Sequence, residues 1–197
     1  MSSLVTRKAP DFKATAVMED GSFKEISLSD YKGQMVLLYF YPLDFTFVCP
    51  TEILAFNSKV AEFKERGVQL LGCSIDSQFS HFAWRNTAID QGGIGQIDYP
   101  LIADVSKNIA RDYGILFNEE VALRGLFLID KNGNVRHSTI NDLPLGRNVE
   151  EALRVVDALQ FHEEHGEVCP ANWEKGKKGM AATKEGVSSY LAETHGK

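Results

Sequence analysis

The chain has 197 residues and 44% hydrophobic content, which suffices for one α/β domain with a tail and is marginal for two domains. Its net charge of -6 argues against nucleic acid or an anionic membrane as the main partner, because either would require a basic stripe. No segment approaches the ~20 apolar residues of a membrane helix, and residues 1–8 lack the apolar core of a signal peptide. We therefore expect a cytoplasmic protein.

The first half of the chain predicts a strand, helix, strand, helix order. Residues 35–41 are a continuous apolar and aromatic run, typical of a strand buried on both faces of a sheet, and residues 68–75 are predicted to form a second buried strand. Residues 50–66 carry apolar side chains at helical spacing, and Gly67 is a suitable stop. A second helix is expected around residues 79–89.

The second half begins with a glycine-rich loop and ends in a weakly periodic tail. Its predicted elements are a strand at 99–103, a short helix at 106–113, strands at 125–129 and 134–140, and helices at 150–161 and 184–192. The pair Asn132-Gly133 indicates a tight hairpin between the two strands on either side of it. A βαβ unit followed by a hairpin and a covering helix predicts a thioredoxin-like α/β fold, in which helices flank a central mixed sheet. We expect a domain over residues 1–165 and a C-terminal arm over residues 166–197.

The three cysteines, Cys49, Cys73 and Cys169, are an odd number at wide spacing. This pattern argues against a secreted disulfide scaffold and favours thiol chemistry in a reducing cytosol. No pair has C-x-x-C spacing, so we expect neither zinc nor a dithiol closed within one short loop, and no cofactor. Cys73 lies inside an apolar strand, where core packing explains it.

Cys49 is predicted to stand where a strand turns into a helix. The free N–H groups of a helix start carry partial positive charge and favour a thiolate over a thiol. Pro50 suits the first helical position, because no N–H is needed there. The sequence therefore predicts that Cys49 is reactive.

Two stretches carry a resemblance to a known family. Residues 42–50, Pro-Leu-Asp-Phe-Thr-Phe-Val-Cys-Pro, match the P-x-x-x-T-x-x-C signature of peroxiredoxins. Residues 166–170, Gly-Glu-Val-Cys-Pro, look like the resolving-cysteine motif of the typical 2-Cys class, to which the peroxidase component of alkyl hydroperoxide reductase and the thioredoxin peroxidases belong. The similarity extends from residues 8–12 through residues 124–127 and 141–147 to Trp173 and covers most of the chain.

This resemblance implies reduction of hydrogen peroxide and organic hydroperoxides to water or alcohol. Cys49 would become a sulfenic acid and then form an intersubunit disulfide with Cys169, so the minimum unit would be a homodimer. The family tends to form rings of five dimers, and Phe45, Phe79 and Trp84 are candidates for the second interface. The reductant, which would be thioredoxin or a flavoprotein disulfide reductase, stays open.

The resemblance also assigns roles around Cys49. Thr46 would supply a hydroxyl, Arg124 would supply planar N–H donors, and Pro42 would limit water in the pocket. Glu52 would orient Arg124, and Arg147 would support the same network. Taken singly, these residues have ordinary explanations as a cap, an ion pair or a strand terminator. Their joint match to the signature favours the catalytic interpretation.

One departure concerns over-oxidation. Easily over-oxidised peroxiredoxins carry a Gly-Gly-Leu-Gly loop and a Tyr-Phe pair in the C-terminal helix. The matching positions here are Gly92, Gly93, Ile94 and Gly95 in the loop and Tyr190 and Leu191 in the tail. The loop is nearly intact and the aromatic pair is lost, so intermediate sensitivity is expected.

Two other functions compete with peroxide reduction. A disulfide reductase or isomerase of thioredoxin type would require a cysteine three residues after Cys49, where the chain has Glu52. A non-enzymatic holdase would bind unfolded clients through exposed apolar surface. The five histidines show no nucleophile-base spacing and are interpreted as surface or packing residues; they are His81, His137, His162, His165 and His195.

Overall fold

The computed structural model describes residues 3–196, and its contacts divide the chain into two compact units, Met1–Val149 and Glu150–Lys197. The expected boundary after residue 165 stays a prediction. No helix of the described part is long and apolar enough to span a bilayer.

The described part of the first unit holds nine strands and four α-helices. The strands are β1 (Lys13–Val17), β2 (Phe23–Ser27), β3 (Met35–Phe40), β4 (Val68–Ser74), β5 (Leu101–Ala103), β6 (Leu116–Phe117), β7 (Val121–Ala122), β8 (Arg124–Ile129) and β9 (Val135–Asn141). The helices are α1 (Cys49–Ser58), α2 (Val60–Glu65), α3 (Gln78–Arg85) and α4 (Asn108–Asp112). Short 3-10 turns occur at Leu28–Tyr31 and Ile89–Gln91.

Seven of the strands form one mixed sheet in the order β2-β1-β5-β4-β3-β8-β9, and β6 pairs with β7 in a separate small hairpin. Strands β3, β4 and β5 run parallel, whereas the other pairs of the large sheet are antiparallel. Every residue of β3 and β8 is buried, as expected for strands covered on both faces. The predicted central mixed sheet and the β8–β9 hairpin are confirmed.

Side chains of β3 alternate between the two faces of the sheet because successive residues of a strand point in opposite directions. Val36, Leu38 and Phe40 join a buried cluster that also contains Cys73, so the packing role predicted for this cysteine is confirmed. Tyr39 lies on the other face, where its ring stacks on Phe56 of α1.

Two features of the first unit differ from the sequence expectation. The single helix expected over residues 50–66 is broken at Lys59, whose φ of -109° and ψ of 4° leave the helical region. The hairpin of β1 and β2 was not expected, because three of the five β2 residues are exposed and form no apolar run.

The second unit contains α5 (Val149–His165) and α6 (Lys184–His195), both longer than expected. Between them the chain is mostly irregular, but Val168 and Met180 exchange two backbone hydrogen bonds of 2.9 and 3.0 Å. Trp173 is buried within this unit and packs on Phe161 of α5 with ring centroids 4.9 Å apart. The arm is therefore folded on itself.

Candidate active site

Cys49 is the first residue of α1 and is fully buried, and Pro50 follows it in the first turn. The helix-start placement predicted from the sequence is confirmed. The preceding loop leaves β3 at the edge where the carboxyl ends of the parallel strands meet, which is where α/β folds place their reactive groups.

Arg124, the first residue of β8, brings a cation to this thiol. Its Nη1 lies 3.5 Å from Cys49 Sγ and 2.7 Å from Glu52 Oε2, to both of which it donates. Its Nε donates to Leu143 O at 2.7 Å, which fixes the plane of the guanidinium. The side chain is only 4% exposed, so its charge acts on the sulfur in a poorly solvated site.

Glu52 lies one turn after Cys49 on α1 and joins two arginines. Besides Arg124, it accepts hydrogen bonds from the Arg147 backbone N at 2.9 Å, from Nε at 2.7 Å and from Nη2 at 2.9 Å. Two cations thus share one carboxylate, and the buried cluster carries one excess positive charge beside the sulfur.

Arg147 is held from three directions. Its Nη1 donates to Gly125 O at 2.6 Å, and its guanidinium lies 5.1 Å above the centre of the Tyr39 ring. The preceding Gly146 has so little space that a Cβ built there would lie 3.3 Å from Val48 Cγ1. The loop before α5 therefore presses closely on the start of α1.

Thr46 and Pro42 lie in the loop that leads to Cys49. Pro42 is buried directly after β3, and Thr46 is half-buried. The Thr46 hydroxyl donates to Leu43 O at 2.8 Å, so its proton is engaged and its oxygen is left as an acceptor. The roles that the sequence assigned to these two residues stay predictions.

A buried polar group that the sequence analysis missed anchors the same loop. Asp44 accepts from Tyr41 OH at 2.8 Å and pairs with His81 Nδ1 at 2.8 Å, while His81 Nε2 lies 3.1 Å from Ile102 O. Asp44 N donates to Asp76 Oδ2 at 2.9 Å. His81 was assigned among surface or packing residues, and it is in fact a buried partner of the active-site loop. No local signal could reveal a pairing across 37 residues.

Cys169 lies in the second unit in a different setting. It is half-buried, and its Sγ donates to Ala158 O at 3.3 Å. Burial raises the pKa of the Cys169 thiol, and the charge of Arg154 opposes that shift. Arg154 Nη1 also donates to Trp173 O at 2.9 Å, which holds the segment after Cys169 against α5. All three cysteines are free thiols in this structure.

The residues expected to control over-oxidation lie in both units. In the first, Trp84 Nε1 donates to Gly92 O at 2.8 Å, Ile94 is buried, and Gly93 packs so tightly on the Thr87 backbone that no larger residue fits.

In the second unit, Leu191 of α6 is 48% exposed and Tyr190 is half-buried.

One of the three residues that were expected at the second interface needs correction. Trp84 is fully buried and packs against the exposed Phe45 with ring centroids 5.6 Å apart. It therefore lies beneath the surface and is not itself an exposed interface residue.

A buried thiol at a helix start, fixed beside a guanidinium on a mixed sheet, defines a thiol-dependent redox enzyme of thioredoxin-like fold. Comparison with known proteins makes this class specific. Residues 5–138 match the model of the AhpC/TSA family, and residues 158–193 match that of the C-terminal domain of 1-Cys peroxiredoxin. The chain therefore belongs to the AhpC/TSA family of peroxiredoxins.

Individual relatives are similar to this chain over nearly its full length. Alkyl hydroperoxide reductase C of Helicobacter pylori is 59% identical, over 96% of this chain and 97% of that protein. Thioredoxin peroxidase of Echinococcus granulosus is 51% identical, over 98% and 100%. The reduced 2-Cys peroxiredoxin of Plasmodium vivax superposes with a TM-score of 0.96 at 52% identity, over 97% and 100%. The chain is accordingly a thiol-dependent peroxidase that reduces hydroperoxides.

Proposed function

We propose that Cys49 is the thiolate that attacks the peroxide and that Arg124 is the main group that stabilises it and the departing oxygen. The observation that carries this assignment is the 3.5 Å contact between Arg124 Nη1 and Cys49 Sγ inside a buried cluster. The thiolate sulfur attacks one peroxide oxygen and the O–O bond breaks. The other oxygen leaves with a proton as water or alcohol, and Cys49 becomes a sulfenic acid.

The donors of Arg124 suit a developing negative charge. Nε is engaged by Leu143 O and Nη1 by Cys49 and Glu52, whereas Nη2 has no hydrogen-bond partner within residues 3–196. Fixed donors in a poorly solvated site stabilise charge without reorganisation, and removing one typically costs about a hundredfold to a thousandfold in rate. The Thr46 hydroxyl oxygen, in the loop before Cys49, can accept a hydrogen bond from the peroxide O–H, because its own proton is donated to Leu43 O.

The second half of the cycle uses Cys169 from a partner subunit. Its thiolate attacks the sulfenic sulfur of Cys49, a disulfide forms, and the sulfenic oxygen leaves with a proton as water. The proposed unit is a homodimer with two such disulfides, assembled into a ring of five dimers. An exposed aromatic patch supports the contact between dimers in the ring. The ring centroid of Phe23 lies 5.6 Å from that of Phe79 and 5.7 Å from that of Phe82. Phe23, Phe79 and Phe82 are 45%, 66% and 43% exposed.

The reductant is proposed to be thioredoxin or a flavoprotein disulfide reductase, acting in the cytoplasm. The relative from Echinococcus granulosus is named for thioredoxin, whereas the one from Helicobacter pylori is named only for its peroxide substrate. The odd number of cysteines and their wide spacing in the sequence favour a reducing compartment. Steady-state assays with each reductant would separate the two.

Stopped-flow peroxide consumption by Cys49→Ser and Cys73→Ser tests the first half of the cycle. Cys73 is the matched control because it is equally buried, and burial together with Asp104 raises the pKa of its thiol. We expect turnover to vanish only in Cys49→Ser. Residual turnover above a tenth of wild type would exclude Cys49 as the nucleophile, and client binding without turnover in the wild type would favour the holdase.

Non-reducing gels test the second half. Peroxide-treated wild type should give a dimer band that is absent in Cys169→Ser. An oxidised wild type that stays monomeric on such gels would contradict the intersubunit disulfide.

A further inference from the structure

Two buried tyrosines join the core to the helix that carries Cys49. Tyr99 OH donates to Ile53 O of α1 at 2.9 Å, and the hydroxyls of Tyr39 and Tyr99 are 2.7 Å apart. Because the Tyr99 proton goes to Ile53, Tyr39 must donate to Tyr99, so the chain of hydrogen bonds has one direction. Burial raises the pKa of both phenols, so both hydroxyls keep their protons at neutral pH.

The surrounding chain is built around this contact. A Cβ at Gly72 of β4 would lie 2.7 Å from Leu101 Cδ2 and 3.0 Å from Tyr39 OH, so glycine leaves room for both side chains without displacing them. Both tyrosine side chains are at least 99% buried. A buried hydroxyl without a partner costs about 1–3 kcal/mol, so this pair is stable only as a connected unit.

A second bond ties the same segment to the same helix. Asp98 N donates to Asn57 Oδ1 of α1 at 2.8 Å. Asp98 and Tyr99 follow the Gly92–Gly95 loop by only a few residues, and that loop is held by Trp84. The segment after the glycine-rich loop is therefore hydrogen-bonded to α1 at two points, Ile53 near the middle of the helix and Asn57 near its end.

These two hydrogen bonds to α1 affect how Cys49 becomes accessible. Cys49 is fully buried, and a disulfide requires the two Cα atoms to come within about 7 Å, so its sulfur must turn outward before a second thiol can reach it. Cys49 lies in the first turn of α1, and Ile53 lies at the start of the second turn. Unwinding that extends past the first turn must break the bond from Tyr99 to the Ile53 carbonyl.

We propose that Tyr99 is a positioning residue that limits unwinding of α1 and so sets the fate of the Cys49 sulfenic acid. The inference rests on the proposed function, in which Cys169 resolves that acid. When α1 opens, the Cys169 thiolate displaces water and a disulfide forms. When α1 stays closed, a second peroxide transfers an oxygen to the sulfenic sulfur, which is oxidised to sulfinic acid while the peroxide is reduced to water or alcohol.

The test compares Tyr99→Phe with Tyr39→Phe in the full-length protein. Both remove one buried hydroxyl and keep the ring, but only Tyr99→Phe removes the bond to Ile53 O. We expect amide hydrogen exchange across residues 49–58 to speed up roughly three- to tenfold in Tyr99→Phe, the range expected for one lost hydrogen bond. Disulfide formation after one equivalent of peroxide should accelerate by a similar factor, and the sulfinic yield at graded peroxide should fall.

Tyr39→Phe should match the wild type in helix exchange and sulfinic yield. Equal behaviour of all three proteins would overturn the inference, and so would equal changes in both variants, because then packing rather than the Ile53 bond would be responsible. If Tyr99→Phe does not fold, Asn57→Ala decides. It removes the second bond and should still speed α1 exchange although alanine favours helix, and an unchanged exchange rate and sulfinic yield would overturn the proposal.

The two proposals fail differently in this experiment. If the wild type forms no disulfide after one equivalent of peroxide, the proposed function is wrong. If it forms the disulfide at a rate that Tyr99→Phe and Asn57→Ala leave unchanged, only the role of Tyr99 is wrong.

Discussion

The tripeptide Val-Cys-Pro occurs twice in this chain, and the two copies lie in opposite settings. Cys49 starts a helix, is fully buried and contacts a guanidinium fixed by a buried carboxylate. Cys169 lies on an irregular segment, is half-buried, and donates to a backbone carbonyl. The comparison shows that the tripeptide does not determine the surroundings of its sulfur. The guanidinium next to Cys49 comes from a part of the chain that is 75 residues away.

The arginines near the two cysteines pair with carboxylates that differ in burial, and we expect the strongest effect on stability from this difference. Glu52→Ala should lower the free energy of unfolding by about 3–5 kcal/mol, because it leaves two buried guanidinium groups without their shared carboxylate. Glu151→Ala is the matched change beside Cys169, where the partner of Arg154 is 47% exposed, and should cost less than about 1 kcal/mol. Denaturant unfolding measures both. Similar losses would contradict the contrast between the two sites.

Removing the cation beside Cys49 should affect the reaction more than the fold. Arg124→Ala is expected to slow peroxide attack by about a hundredfold to a thousandfold, because the thiolate and the departing oxygen lose a fixed donor. Arg124→Lys keeps the charge but not the planar fork, so it should recover only part of the rate. Single-turnover kinetics over a range of pH measures this. A rate and pH profile equal to wild type in Arg124→Ala would exclude the assigned role.

The rate of the resolving step should increase with pH, because the pKa of the Cys169 thiol is raised. Burial raises the pKa of Cys169, and only its thiolate attacks, so the rate of disulfide formation should rise up to tenfold per pH unit between pH 7 and 8.5. Arg154 opposes the shift, so Arg154→Ala should slow resolution several-fold at pH 7 and move the profile to higher pH. Quenched samples on non-reducing gels give the rates. A flat pH profile in the wild type would contradict this view of Cys169.

The smallest expected effect concerns α6. Leu191 is 48% exposed in the second unit, and it replaces the aromatic residue expected for an easily over-oxidised relative. A ring buries more area than leucine in any docked state, so Leu191→Phe should raise the sulfinic yield at Cys49 a few-fold. Truncation before Tyr190 should lower it. Mass spectrometry after graded peroxide decides, and equal yields in all three proteins would show that the tail does not control over-oxidation.

The elements that have a local signal could be predicted from the sequence. Apolar residues in short runs predicted β3 and β4, Asn132-Gly133 predicted the β8–β9 hairpin, and Pro50 after Cys49 indicated the helix start. The family signature identified the chemistry because its residues lie within nine consecutive positions. Cys73 was recognised as a core residue because it lies within a largely apolar strand.

The groups that surround the Cys49 sulfur could not be predicted in this way, because they meet only in the folded protein. Arg124 and Arg147 reach Glu52 across 72 and 95 residues, and they do so because β8 pairs with β3 and the loop before α5 presses on α1. The pairing of Asp44 with His81 and the bond from Tyr99 to Ile53 also join distant segments. Periodicity and turn propensity describe neighbours along the chain. The order of strands in the sheet brings these side chains together, and no local pattern encodes that order.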